Sequence, residues 1–155
     1  MNLRLVALSY LFSALLVADR LTKWYFMQRP VNDVSFFSTR FFGFTQHENY
    51  GILANLPVPR LLIISVTIAV LIFAVSAWVS AWRRNDQRYV FALLLLIAGA
   101  IGNLWDRIQW GFVFDWILLF QRSVINLADI FIAIGISWMF FLKIKTDIDT
   151  HNKIP

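Results

Sequence analysis

Long apolar stretches alternate with short polar breaks along the chain, and one of the longest, Leu61 to Trp82, carries no charged residue. Apolar runs of roughly 17 to 25 residues cross a bilayer as helices, so this stretch predicts a transmembrane helix. Tyr89 to Trp105 reads the same way, as does Val124 to Leu142, although the latter contains Asn126 and Asp129. The first apolar run, Leu5 to Ala18, lies behind Arg4 and reaches spanning length only by continuing through Asp19, Arg20 and Lys23. It resembles a signal-peptide core, but no small-x-small cleavage site precedes Asp19, so an uncleaved first helix is the better reading. Four helices are expected, at about 3–27, 61–82, 89–108 and 124–145, in a single membrane domain over 1–155.

Between the first two helices the hydrophobic period changes. VSFFSTRFFGFTQ, residues 34–46, is rich in Phe and Thr with partial two-residue alternation. That pattern suits short strands rather than another span. The expected fold is therefore an all-α integral membrane protein of four transmembrane helices, with a small extracytoplasmic β-rich cradle at 33–56 between helices 1 and 2. Asn49, Tyr50 and Gly51 read as a turn within it, and Pro57 and Pro59 precede helix 2.

Composition strengthens the membrane reading. The 155 residues are 59% hydrophobic and 15% charged, with mean hydropathy +0.66. Soluble domains average nearer ~25% charged. Cysteine is absent, which removes disulfides, a thiol nucleophile and thiolate metal ligation. His47 and His151 stand far apart with no ligand spacing, so no metal site is expected. The net charge of +5 comes from basic residues spread over loops and tails, which argues against a nucleic-acid partner. With a cytoplasmic N-terminus, the inner segments hold Arg4, Arg83, Arg84, Arg88, Lys143, Lys145 and Lys153. The outer ones hold Arg29, Arg40, Arg60 and Arg122. That inward excess predicts both termini in the cytoplasm.

Against this background, Gly99 to Asp129 is anomalous. It sets Asn103, Asp106, Arg107, Asp115, Asn126 and Asp129 among apolar residues. A charge near the bilayer centre costs about 2.5 to 3.5 kcal/mol on insertion scales, so such residues are functional candidates. Helix 3 runs outward and delivers Asn103, Asp106 and Arg107, which share a face at three- and four-residue spacing, to the outer boundary. Asp115 falls in or beside the following loop, and Asn126 and Asp129 open helix 4. Asp19 and Lys23 share a face at the outer end of helix 1, where an interfacial ion pair that trims a short helix is one reading. Asp19, Asn49, Asp106, Asp115 and Asp129 are therefore expected at one membrane depth.

Two carboxylates that meet in a poorly hydrated place cannot both ionise cheaply. Asp115 and Asp129 would then share a proton across a water molecule, one as acid and one as base, in the aspartic-protease manner. No Ser-Lys or Ser-His arrangement competes with them. Physics alone leaves other uses open, since intramembrane carboxylates also serve as proton paths in small transporters, and a non-catalytic lipid- or lipopeptide-binding protein fits as well.

The segments ADRLTK, NYG, GAIGNLWDR, VFDW and NLAD, in that order over nearly the whole chain, resemble the motif series of the lipoprotein signal peptidase (signal peptidase II) family. The resemblance implies a four-helix aspartic endopeptidase of the bacterial inner membrane, acting near the extracytoplasmic face without metal or cofactor. Its implied substrate is a diacylglyceryl-modified prolipoprotein, cut just before the lipidated cysteine, with membrane lipid as its surroundings and a monomer as its state. By match to the family pattern, Asp115 and Asp129 would form the catalytic dyad. Asn49, Gly51, Asn103, Asp106, Arg107 and Asn126 would bind substrate or orient the dyad, and Asp19 and Lys23 would be structural. The chain departs from the pattern at Ile52-Leu53-Ala54, at Ile125 in place of the usual Phe, at Ile130 where Ser is common, and at Ala98-Gly99 in place of Gly-Gly. These changes bear on substrate fit and on sensitivity to the family's cyclic peptide inhibitors rather than on the carboxylates.

Overall fold

A computed structural model of the chain describes residues 3–29, 39–51 and 58–151. Its elements run α1 (Leu3–Met27), β1 (Phe42–Asn49), α2 (Arg60–Arg83), α3 (Gln87–Gln109), β2 (Val113–Leu119), β3 (Ser123–Ile125) and α4 (Leu127–His151). All four helices are long and apolar enough to cross a membrane.

The third helix is the axis of the bundle. Most of α3 is buried, from Val90 through Asp106, and it packs against α1, α2 and α4. The other three helices present large apolar side chains outward, among them Leu61, Phe73 and Phe140. So much exposed apolar surface suits lipid rather than water. Small residues let α3 and α4 approach closely: a Cβ on Gly99 would lie 2.3 Å from the Ala128 carbonyl oxygen, and one on Gly135 would lie 2.6 Å from that of Ala92. Close backbone approach of this kind supplies the dispersion contacts that hold helices together in lipid. The Ala98 methyl, where the family pattern has Gly, is accommodated within the core.

A three-stranded antiparallel sheet in the order β1-β2-β3 closes one end of the bundle. The β-element expected between the first two helices supplies only one of its strands among the described residues. The other two come from the segment between α3 and α4, where a loop and the start of helix 4 were expected. Helix 4 therefore starts at Leu127 and not at 124. Ser123, Val124 and Ile125 pair with Leu119, Leu118 and Ile117, a use that suits β-branched residues, and Asn126 then breaks the strand. The turn between β2 and β3 carries Phe120 and Gln121 at positive φ, closed by Arg122 N–H donating to the Leu119 carbonyl at 3.0 Å. A turn built without Gly or Asn gives no hairpin signal in sequence. Residues 33–38 and 52–56 of the expected cradle, with Ile52-Leu53-Ala54, lie outside the described residues.

Aromatic packing fixes the sheet to the helices. Phe26 at the end of α1 stacks on Trp116 with ring centroids 4.2 Å apart, and Phe44 lies over the same indole at 5.8 Å. Ile125 and Ile130, both departures from the family pattern, pack at the edge of this cluster. Gln46 adds a polar tie, its amide donating to the Phe26 and Arg29 carbonyls at 2.6 and 2.7 Å.

Candidate active site

Where the sheet meets the ends of α1 and α3 and the start of α4, polar side chains form one connected network. Asp115 sits on β2 rather than in a loop. Strand alternation turns it away from Phe114 and Trp116, and the register β1–β2 brings Asn49 diagonally beside it. Asn49 donates from Nδ2 to Asp115 Oδ2 at 3.0 Å, and its own Oδ1 accepts from Gly51 N–H at 3.1 Å. The other Asp115 oxygen accepts from Asn126 Nδ2 at 2.6 Å.

The second carboxylate reaches the same asparagine from the first turn of α4. Asp129 Oδ2 accepts from the Asn126 backbone N–H at 3.2 Å, while Asn126 Oδ1 accepts from Asp129 N–H at 3.0 Å. Asp129 Oδ1 accepts from Asn103 Nδ2 on α3 at 2.7 Å. Asn126 Nδ2 also donates to Asn103 Oδ1 at 3.1 Å, so two amides knit both acids together. The acids differ in setting: Asp115 is fully buried and Asp129 only half-buried. Burial, and after it the charge of Asp129, push the Asp115 carboxyl up to about 7, against the lowering effect of its Asn49 and Asn126 hydrogen bonds and of Lys23.

Behind this pair lies a buried ionic cluster. Lys23 has no exposed side-chain surface; its Nζ is 3.0 Å from Asp19 Oδ2 and 2.7 Å from Asp106 Oδ2, and it donates to Asn103 Oδ1 at 3.1 Å. An ammonium can only donate. It therefore turns the Asn103 oxygen towards itself and leaves Nδ2 for Asp129. Asp19 has a second task, accepting the Ala128 N–H at the start of α4 at 3.1 Å. Asp19 and Lys23 do form an ion pair, at 3.0 Å; both are buried, and beyond pairing with each other they tie α1 to α3 and α4. Among the described residues Asp106 makes no hydrogen bond to either member of the acid pair and is linked to it through Lys23 and Asn103. Its two oxygens are held by charge without well-directed hydrogen bonds.

Arg107 points the other way, donating from its guanidinium to the Gly51 carbonyl at 3.1 Å and to the Asn103 carbonyl at 3.5 Å. It fastens the loop after β1 to the rim of the site. Arg20 carries no role in the sequence reading, yet it joins the cluster. It pairs with Asp19 at 2.8 Å and with Asp106, donates to the Gly102 carbonyl at 3.1 Å, and lies 5.6 Å from the Trp110 ring centroid. Its position next to Asp19 gave no spacing signal, because the decisive partner comes from another helix.

All of these residues fall within one segment that a known family covers. A sequence model of the family described as signal peptidase (SPase) II matches residues 11–145. The chain belongs to the signal peptidase II family. Among relatives named lipoprotein signal peptidase, that of Clostridium acetobutylicum is 29% identical over 140 residues, covering 85% of this chain and 90% of its own. That of Bartonella tribocorum is 38% identical over 91 residues, 54% of this chain and 53% of its own, and that of Brucella ovis is 45% identical over 78 residues, 47% and 48%. The match thus spans about half the length of the latter two. A solved structure described as a bacterial membrane enzyme superposes with a TM-score of 0.79 at 26% identity, covering 95% of this chain and 91% of its own. A second, at 24% identity and a TM-score of 0.74, shares the fold. Within the signal peptidase II family, then, this chain is a multi-pass bacterial membrane protein whose family match takes in α2, α3, the sheet and most of α1 and α4.

Proposed function

We propose that the chain is an intramembrane aspartic endopeptidase that removes the signal peptide from diacylglyceryl-modified prolipoproteins, cutting on the N-terminal side of the lipidated cysteine. The observation that carries this reading is the suspension of Asp115 and Asp129 from one asparagine, Asn126, with one acid sealed and the other half open. The relatives' name supplies the substrate class.

In this reading Asp115, the sealed acid, holds the shared proton and Asp129 acts as base. As a water oxygen bonds to the scissile carbonyl carbon, its proton passes to Asp129 and the Asp115 proton passes to the carbonyl oxygen, forming a gem-diol. When that intermediate collapses, the C–N bond breaks. The Asp129 proton goes to the departing nitrogen, and a diol hydroxyl returns a proton to Asp115. Asn103 and Asn126 hold the two carboxylates, Asn49 closes over Asp115, and Arg107 with Gly51 forms the rim where a substrate backbone could be gripped. Asp19, Lys23 and Asp106 position Asn103 and the start of α4.

The substrate's own chemistry suits this site. A diacylglyceryl group partitions into lipid at about 0.8 kcal/mol per buried methylene, so the precursor is already confined to the membrane surface. The basic residues Arg83, Arg84, Arg88, Lys143 and Lys145 cluster at the bundle end opposite the acid pair, which supports a cytoplasmic position for that end and an extracytoplasmic one for the site. The test is cleavage of one lipidated precursor and one unlipidated control by purified wild-type, Asp115→Asn and Asp129→Asn proteins in a bilayer mimic. Cleavage of the lipidated precursor by wild type alone is expected. Cleavage retained in either variant would reject the dyad, and proton transport without peptide product would favour a transporter.

A further inference from the structure

At the end of the bundle opposite the acid pair, the α2–α3 turn, the first turn of α3 and the last turns of α4 enclose a polar cavity of about 490 Å3. Arg84, Arg88 and Lys145 line it, with Asp86 and Asp149 as its carboxylates. Among the described residues none of the three cations has an ion-pair partner, although both carboxylates stand in the same hollow. Asp86 is otherwise engaged as the cap of α3, accepting from Tyr89 N–H at 3.4 Å. Arg83 and Lys143 add positive charge beside the hollow, and Arg4 of α1 reaches it by donating to Asn85 Oδ1 at 3.3 Å.

The surface adjoining the cavity is of the opposite kind. Phe91 stands one turn along α3 from Arg88, and Trp138 one turn along α4 from Leu142, which lines the cavity. The two rings meet edge to face at 6.3 Å and both remain exposed. Unpaired cations over an outward-facing aromatic pad match an amphiphile with a phosphate at one end and acyl chains at the other. Basic pockets between transmembrane helices at the cytoplasmic side are places where anionic head groups bind.

We propose that this cavity is a binding site for one anionic glycerophospholipid, its phosphate held by Arg84, Arg88 and Lys145 and its acyl chains laid over Phe91 and Trp138. The excess of cations over carboxylates selects a net negative head group over a zwitterionic one. The site is separate from the acid pair, and the inference does not rest on the proposed peptidase activity.

Native mass spectrometry of the purified full-length protein, titrated with phosphatidylglycerol, phosphatidylethanolamine or phosphatidylcholine, tests it. One phosphatidylglycerol should be retained preferentially, and Arg84→Gln/Arg88→Gln/Lys145→Gln should lower its occupancy at least threefold. Arg83→Gln/Lys143→Gln, which removes charge from the same end of the bundle outside the cavity, should leave that occupancy within a factor of two. Equal loss in both sets would mean diffuse surface attraction and overturn the site. So would equal retention of the three lipids, or a preference for either zwitterionic one. Circular dichroism of each variant confirms that it is folded; should the triple variant not fold, single Gln replacements at Arg84, Arg88 and Lys145 take its place under the same threshold.

Discussion

Asn126 and Asp129 cap one another: each backbone N–H donates to the other's side chain, at 3.0 Å to Asn126 Oδ1 and at 3.2 Å to Asp129 Oδ2. This is a capping box with Asp in the place usually taken by Glu or Gln. The residue proposed as the base is therefore also part of the device that starts α4, so its position is set by helix geometry rather than by a free rotamer.

The two roles of Asp129 can be separated by substitution. Asp129→Asn keeps an oxygen able to accept from Asn126 N–H, so it should remain folded with a melting temperature near wild type while cleavage falls by more than ~1000-fold. Asp129→Ala removes the cap as well and should lose about 1 kcal/mol of stability in addition. Thermal unfolding in detergent beside a precursor-cleavage assay checks both; an active Asp129→Asn protein would refute its role as base.

In the proposed mechanism, Asp115 should make both activity and stability depend on pH. Its carboxyl is raised from 3.8 to about 7 by burial and by Asp129, so the folded state binds the proton more tightly than the unfolded state. The stability linked to that proton is fully present below about pH 4 and is lost as pH rises through about 7. If Asp115 must be protonated, turnover should decline on the alkaline side with an apparent midpoint near 7, a value that belongs to the coupled pair. Asp115→Asn should lack the matching fall in melting temperature. A turnover profile flat to pH 9 would contradict the assignment.

Lys23 lies between two buried carboxylates, with Arg20 as their other cation. Lys23→Met should cost about 3 to 5 kcal/mol, since removing one partner leaves buried charge uncompensated. Lys23→Met/Asp106→Leu, which leaves Asp19 paired with Arg20, should recover a substantial part of that loss. A double-mutant cycle on thermal or denaturant unfolding measures the coupling; additive losses would show that the cluster does not act as a unit.

Much of this organisation was legible in the chain because lipid imposes a coarse rule. Apolar length alone predicts four helices, and the described residues hold four that are long and apolar enough to cross a membrane. Polar residues stand out in such a sequence, which is why Asn103, Asp115, Asn126 and Asp129 could be singled out before their contacts were known. The strand carrying Asp115 was hidden for the opposite reason. In VFDWILL both faces are covered, by the aromatic cluster on one side and the polar network on the other, so no two-residue alternation of hydrophobicity survives. Arg20 was hidden because its value lies in contacts with α3, and neither helical spacing nor composition reports on a neighbour from another helix.

The close approach of α3 and α4 gives a last, sharper test of whether backbone placement governs the acid pair. A methyl on Gly99 would meet the Ala128 carbonyl oxygen at 2.3 Å and Ile132 Cγ1 at 2.8 Å. Ala128 immediately precedes Asp129, and its N–H is held by Asp19. A methyl on Gly135 presses on the same helix pair, 2.6 Å from the Ala92 carbonyl oxygen, but two turns further from the acids. Both Gly→Ala changes overpack the interface and should cost about 1 to 3 kcal/mol. Only Gly99→Ala pushes directly on the start of α4. Because a displacement of about 1 Å at reacting groups can cost on the order of 100-fold in rate, Gly99→Ala should lose cleavage by that factor while Gly135→Ala, at similar stability, loses under about tenfold. Comparing kcat for the two variants at a temperature where both are fully folded decides it. Equal losses would mean that helix separation acts through general loosening and not through the position of Asp129.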